Sequence, residues 1–273
     1  MKLGYIASPT EQVVKFASQA GFDGLEVAFG KWSGPDFDFK PENAKRAKGV
    51  LDKYSFKALT LIFSEKYCED ANPLDRINRA FQVAQILGTK VVTINAWIPL
   101  GLGVNEKFDY YKKVWTDFAK LAEDQGMRLA IENCPHGGHN IGNCPAAFRR
   151  MFELVPSPAI GLEFDPSHFI FQFMDYLAAI REFGDRIYAF HAKDTQILKD
   201  RLNDVGIYGD QYLSENWWRF RMPGYGDVDW KGIFVALSDI KYAGDMIIEH
   251  EDPTYAGEEG LLRGCKFLRQ FIL

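Results

Sequence analysis

Four polar residues each close a short apolar run in this chain. Glu132 follows Leu129-Ala130-Ile131, Asp165 ends Ile160-Gly161-Leu162-Glu163-Phe164-Asp165, His191 follows Ile187-Tyr188-Ala189-Phe190, and Glu249 follows Met246-Ile247-Ile248. Three carboxylates and an imidazole gathered in one pocket of lowered dielectric repel one another, and without a compensating positive charge they would take up protons or unfold the site. A divalent metal is the simplest compensation. The chemistry these residue types suggest is therefore one ion held by Glu132, Asp165, His191 and Glu249. Oxygen-rich ligation with one nitrogen suits Mn, and also Mg, Co or Zn.

Elements must exist to bring the four together. Apolar runs of this length, separated by helical patterns, read as parallel strands. Strands are expected near Leu3 to Ala7, Gly24 to Ala28, Phe56 to Phe63, Lys90 to Asn95, Arg128 to Glu132, Ile160 to Asp165, Ile187 to His191 and Asp245 to Glu249. Between them, Pro73 to Leu87 repeats apolar residues with a period near 3.6, and Lys107 to Gln125 ends at Gly126, a residue suited to a left-handed cap. A last helix from Glu258 to Phe271 would close the ring. Such a succession predicts a single (β/α)8 barrel over residues 1–273, with no linker or repeat dividing it. A barrel of this kind carries its active site at the carboxyl ends of its strands, where the four polar residues stand.

Composition agrees with a metabolic enzyme. In 273 residues, 47% hydrophobic content is ample for one core, and 32 Lys plus Arg against 37 Asp plus Glu gives a net charge of -5. That balance argues against nucleic acid as a partner, because phosphate binding needs a basic face. No apolar stretch approaches the roughly 20 residues that span a bilayer. The N-terminus lacks a charged region followed by a long apolar one, so a cytoplasmic location is expected. Cys68, Cys134, Cys144 and Cys265 are scattered without CxxC spacing, which predicts neither a disulfide framework nor a zinc knuckle.

Two segments are longer than a barrel needs. Residues 30–40 carry Trp32, Phe37 and Phe39. Residues 195–230, read as a long loop after the seventh strand, carry Trp217, Trp218, Arg219, Arg221 and the turn Pro223-Gly224-Tyr225-Gly226. Long loops at this face serve as lids or substrate walls. Their aromatics suit the apolar face of a sugar ring, and suit a local mini-core or an oligomer contact equally well.

The succession Gly21-Phe22-Asp23-Gly24-Leu25-Glu26, Ile131-Glu132-Asn133, Phe164-Asp165-Pro166-Ser167-His168, Phe190-His191-Ala192-Lys193-Asp194 and Ile248-Glu249 resembles the xylose-isomerase-like TIM barrels, in order and over nearly the whole chain. That superfamily includes sugar phosphate isomerases and epimerases, ketose 3-epimerases and inosose dehydratases. The resemblance implies that Glu132, Asp165, His191 and Glu249 bind one divalent metal, and that Glu132 and Glu249 face the carbon that loses and regains a proton. It also implies a substrate contact for His168.

The chemistry asked of such a site fits the residue types. Polarising a carbonyl and its neighbouring hydroxyl stabilises the enediolate formed when the adjacent C–H is deprotonated, and a carboxylate on the other face returns the proton with inverted configuration. The leading expectation is a metal-dependent sugar isomerase or epimerase acting on a keto sugar or related polyol. The alternative is a lyase or dehydratase that eliminates a β-oxygen substituent from a 3-keto-glycoside or inosose. A sugar-binding regulatory protein is the non-enzyme alternative, and a homo-oligomer is compatible with each.

Other polar residues divide by position. Glu251 shares the face of Glu249 by period-two alternation, and Lys193 shares that of His191, whereas His250 should face the outer helices. Lys193 is expected either on a substrate oxygen or in a structural ion pair. Arg219 and Arg221 would anchor a phosphorylated or acidic substrate, or else be solvated loop charges. His136 and His139, in the glycine-containing segment after Glu132, read as a surface loop. Gly224-Tyr225-Gly226 lacks what a phosphate loop requires.

Overall fold

In the computed structural model, which describes residues 1–30, 33–135, 139–208 and 216–272, eight parallel strands close into a barrel. In chain order they are β1 (Leu3–Ala7), β2 (Gly24–Phe29), β3 (Lys57–Phe63), β4 (Val91–Ile94), β5 (Arg128–Glu132), β6 (Ile160–Phe164), β7 (Ile187–Ala192) and, after an inserted arm, β10 (Asp245–Ile248). Around the barrel the order is β1-β10-β7-β6-β5-β4-β3-β2. The strands are buried on both faces, which is why their runs are continuously apolar: all five residues of β6 are buried, and so are Leu129, Ala130 and Ile131 of β5.

The helices lie between strands and pack against them. Helix α1 (Glu11–Gln19) is capped by Thr10, whose hydroxyl accepts from the Val13 amide. Helices α2 (Pro41–Lys53), α3 (Pro73–Leu87) and α5 (Pro145–Leu154) begin with proline, whose missing N–H is harmless at that position. Helix α4 (Val104–Gln125) ends at Gly126 with φ 64°, the left-handed cap the sequence predicts. It buries Tyr111, Trp115 and Phe118 against Tyr67, and the Trp115 indole donates to the Tyr67 hydroxyl at 3.0 Å. Helix α10 (Gly257–Leu268) closes the ring. His250 packs toward it, so close that a side chain at Gly260 would collide with the imidazole.

The described residues of the 195–230 segment form more regular structure than the loop the sequence suggests. Strand β8 (Asp194–Ile197) starts two residues after β7 and pairs antiparallel with β9 (Trp218–Arg221), and helix α8 (Lys199–Val205) lies between them. The arm is held by Asp194. Its carboxylate accepts from the amides of Thr195, Gly224 and Val228 and from the indole of Trp230, the first residue of helix α9 (Trp230–Asp239), at 2.8–3.0 Å. The Pro223-Gly224-Tyr225-Gly226 turn wraps this carboxylate: Gly224 has φ 85°, and a Cβ on Gly226 would lie 2.3 Å from Asp194 Oδ1. In the other long segment, Phe37 and Phe39 pack on Phe29 and Phe63 at the mouths of β2 and β3. Trp32 lies outside the described residues. All four cysteines are free, and among the described residues no helix is long and apolar enough to cross a membrane.

Candidate metal centre and active site

Four consecutive strands of the barrel each deliver one residue. Glu132 is the last residue of β5, Asp165 directly follows β6, His191 is the fifth residue of β7 and Glu249 directly follows β10. One ligand atom from each lies within 4.8 Å of all the others. His191 Nδ1 stands 3.5 Å from Glu132 Oε1 and 3.3 Å from Glu249 Oε2. Among the described residues, His191 Nδ1 and Asp165 Oδ2 are buried and make no hydrogen bond. Buried polar atoms without partners are costly unless a ligand meets them. This donor set of three carboxylates and one imidazole fits a divalent cation, and the charge balance points the same way.

Without a bound cation both imidazoles are driven toward their charged forms, and a cation at the site would displace the Nδ1 proton of His191. Against the effect of burial, Asp165 and the neighbouring Cys134 and Glu132 push His168 up to about 10, and burial of His191 is likewise outweighed by Glu163 and by its carboxylate partners. Burial would raise the Glu132 carboxyl, but the neighbouring imidazoles of His168 and His191 hold it well below the usual range. Burial of Glu249 is overcome by Lys193, which keeps that carboxyl down to about 2. Both candidate proton-transfer groups are therefore ionised at neutral pH.

Supporting groups fix Glu132 and Asp165. The Asn95 amide donates to Glu132 Oε2 at 3.2 Å, and the backbone carbonyl of Asn95 accepts from the Tyr67 hydroxyl buttressed by α4. Asn133 clasps the Asp165 backbone both ways, donating to its carbonyl at 2.8 Å and accepting from its amide at 2.7 Å. Asn140 donates to the carbonyls of Glu132 and Cys134 and accepts from the Ala96 amide, joining the segments after β4 and β5. His139 lies in the same junction, with Nδ1 3.1 Å from the Ile98 carbonyl, rather than in a loose surface loop. His136 lies outside the described residues.

The remaining expected site residues separate. His168 Nε2 is 3.3 Å from Asp165 Oδ2 and 3.7 Å from Glu132 Oε1, and Lys193 Nζ donates to both Glu249 and Glu251 at 2.7 Å. Both stand at the cluster. The arm residues do not act as one group, because alternation along β9 sends them to opposite faces. Trp218 stacks on Phe171 at 4.2 Å and packs on Phe220, whose ring meets His168 edge-on and lies 4.0 Å from Lys193 Nζ. Arg219 and Arg221 point the other way, both donating to Gln196 Oε1, and Arg221 is buried in an ion pair with Asp252 at 2.9 Å. Trp217 is buried outside the ligand cluster, stacked on Phe173, with its indole donating to the Ile207 carbonyl at 2.9 Å. The structure thus brings Trp218 toward the His168 and Lys193 side with Phe171 and Phe220, two residues the sequence reading did not select. It ties Arg221 into the fold instead of leaving it solvated.

A second set of polar residues lies one layer deeper. Glu26 of β2 and Glu163 of β6 both approach His191 Nε2, at 2.9 and 3.1 Å, and the Thr93 hydroxyl of β4 donates to Glu26. Burial, reinforced by the charge of Glu26, pushes the Glu163 carboxyl well above its usual range.

The Xylose isomerase-like TIM barrel family matches residues 14–271. The chain belongs to that family. Among its curated relatives are the uncharacterized protein YfiH of Bacillus subtilis (strain 168), 26% identical over 100% of this chain and 99% of that protein, and an inosose dehydratase of Clostridium perfringens, 24% identical over 95% and 89%. Among solved structures, a D-allulose 3-epimerase from Methylomonas sp. superposes with a TM-score of 0.72 at 18% identity, covering 100% of this chain and 98% of that one. The xylose isomerase-like neighbours of this chain thus include enzymes of the epimerase and dehydratase types.

Proposed function

We propose that this protein is a divalent-metal-dependent sugar isomerase or epimerase acting on a keto sugar or related polyol. The observation that carries the reading is the pair Glu132 and Glu249, two ionised carboxylates on the same ligand cluster, delivered from strands on either side of β6 and β7. Glu132, Asp165, His191 and Glu249 would hold the ion, with Mn preferred, and when bound it supplies Lewis acidity toward a carbonyl and the adjacent hydroxyl. One glutamate takes the proton from the carbon next to the carbonyl, and the electron pair moves onto the carbonyl oxygen to give an enediolate. The other glutamate, once it has taken up a proton from solvent, delivers it to the opposite face and inverts that carbon, and the first glutamate gives its proton up to solvent. Lys193 and His168 bind substrate oxygens, and Trp218 supplies an apolar wall. Trp217, Arg219 and Arg221 support that wall from behind.

Dehydration is the second reading, favoured by His168. An imidazole held charged beside Asp165 and Glu132 is placed to protonate a departing β-oxygen, and the inosose dehydratase relative supports that outcome. Incubation of the metal-loaded protein with ketoses, inososes and 3-keto-glycosides in deuterated water, read by NMR, tests both. Metal-dependent deuterium uptake at one carbon with an accumulating epimer is expected, while uptake with release of water or an alcohol would establish the second reading. Sugar binding with no exchange would overturn both and leave a sugar-binding protein.

A further inference from the structure

We propose that Glu26 is a positioning residue that sets the tautomer and direction of His191, so that Nδ1 faces the ion site. The inference rests on the reading of Glu132, Asp165, His191 and Glu249 as the ion's ligands.

An imidazole that ligates through one nitrogen must present a lone pair there, and the tautomer is fixed by what the other nitrogen donates to. In this barrel, Nε2 lies 2.9 Å from Glu26 Oε2, a carboxylate that is fully buried. Glu26 is itself held by the Thr93 hydroxyl on its other oxygen. The contact crosses the barrel interior, since β2 and β7 are separated by β1 and β10 in the ring. Glu163 is the competing acceptor at 3.1 Å, yet neither of its oxygens has a hydrogen bond among the described residues. One N–H serves one acceptor well, and the anchored carboxylate is the one whose position is fixed. Glu26 with its Thr93 anchor therefore acts on the ion only through His191, and Glu163 is secondary.

The test uses protein labelled with 15N-histidine and loaded with Zn2+, which is diamagnetic, together with competition titrations of Zn2+ affinity. The native protein should show His191 protonated at Nε2 and metal-bound at Nδ1. Glu26→Leu should weaken Zn2+ binding by about 10- to 100-fold and disturb that ring pattern, as loss of such a partner does elsewhere. Glu26→Gln, which keeps an oxygen acceptor, should recover most of the affinity. Should Glu26→Leu not fold, Thr93→Val against Glu26→Gln carries the same comparison, with Thr93→Val the weaker binder. Unchanged affinity and an unchanged ring pattern in these variants, whatever their melting temperatures, would overturn the inference alone. Absence of zinc from Nδ1 in the native protein would overturn the ion-site reading and this inference with it.

Discussion

The two nitrogens of His191 face opposite kinds of carboxylate. On the Nδ1 side, Glu132 and Glu249 are 13% and 21% exposed and have cationic neighbours in His168 and Lys193. On the Nε2 side, Glu26 and Glu163 are sealed in the barrel, and the imidazole is the partner they share. The consequences for ionisation diverge: Glu132 and Glu249 are held low, whereas Glu163 is pushed well above the usual range by burial and by Glu26. On the proposed function one residue type takes two roles in neighbouring layers, a reactive and ligating role for Glu132 and Glu249 beside His168 and Lys193 and a holding role for Glu26.

The outer layer is where substitution should cost most. Glu132→Gln and Glu249→Gln keep volume and an oxygen donor but lose basicity. Each should slow exchange of the substrate proton by about 100-fold or more at saturating metal, measured by deuterium uptake. Wild-type exchange in both would assign the base elsewhere, with His168 next in line.

Asp194 sharpens the comparison as a buried carboxylate whose partners are N–H groups without a cation. Burial pushes it up to about 6 despite those four donors. Because the folded pKa is raised, the native state holds this proton more tightly than the unfolded chain. Its stability contribution is present below the unfolded value near 4 and is lost as pH rises through about 6, an effect of up to about 3 kcal/mol. Urea unfolding of the wild type and Asp194→Asn should show the stability difference moving against the wild type across that window. A constant difference from pH 4 to 7 would remove Asp194 as its source.

Smaller effects are expected on the arm. Trp218→Ala should alter relative kcat/KM across a ketose and keto-glycoside panel by about 10-fold, the size of one aromatic contact, while metal affinity holds. Arg219→Ala, on the other face of β9, should change preference less. Equal effects from the two would mean that the faces of β9 are not functionally distinct. The smallest change belongs to Glu163→Gln, a neutral group replacing a carboxyl that burial already pushes toward its neutral form, which should alter stability by no more than about 1 kcal/mol. A loss of several kcal/mol on chemical denaturation would show that Glu163 is ionised in the fold.

Much of this fold is legible in the sequence. Barrel strands buried on both faces leave continuous apolar runs, so the eight strands and the polar residues that close four of them can be read directly. The deeper layer leaves a fainter mark: Glu26 between Leu25 and Val27, and Glu163 between Leu162 and Phe164, are carboxylates inside apolar runs, and only the closed barrel shows that both meet one imidazole. The arm is hardest, because its short strands lie between Asp194 and a turn whose geometry depends on distant amides. Even there, period-two alternation within Trp218-Arg219-Phe220-Arg221 carries the signal that the aromatics and arginines part company.

Titration with Mn2+ tests the central claim most directly, comparing the wild type with Glu132→Ala, Asp165→Ala, His191→Ala and Glu249→Ala. The account predicts one ion per chain in the wild type and weakened binding in each of the four variants. Full occupancy in all four, with the ion coordinated elsewhere, would contradict it.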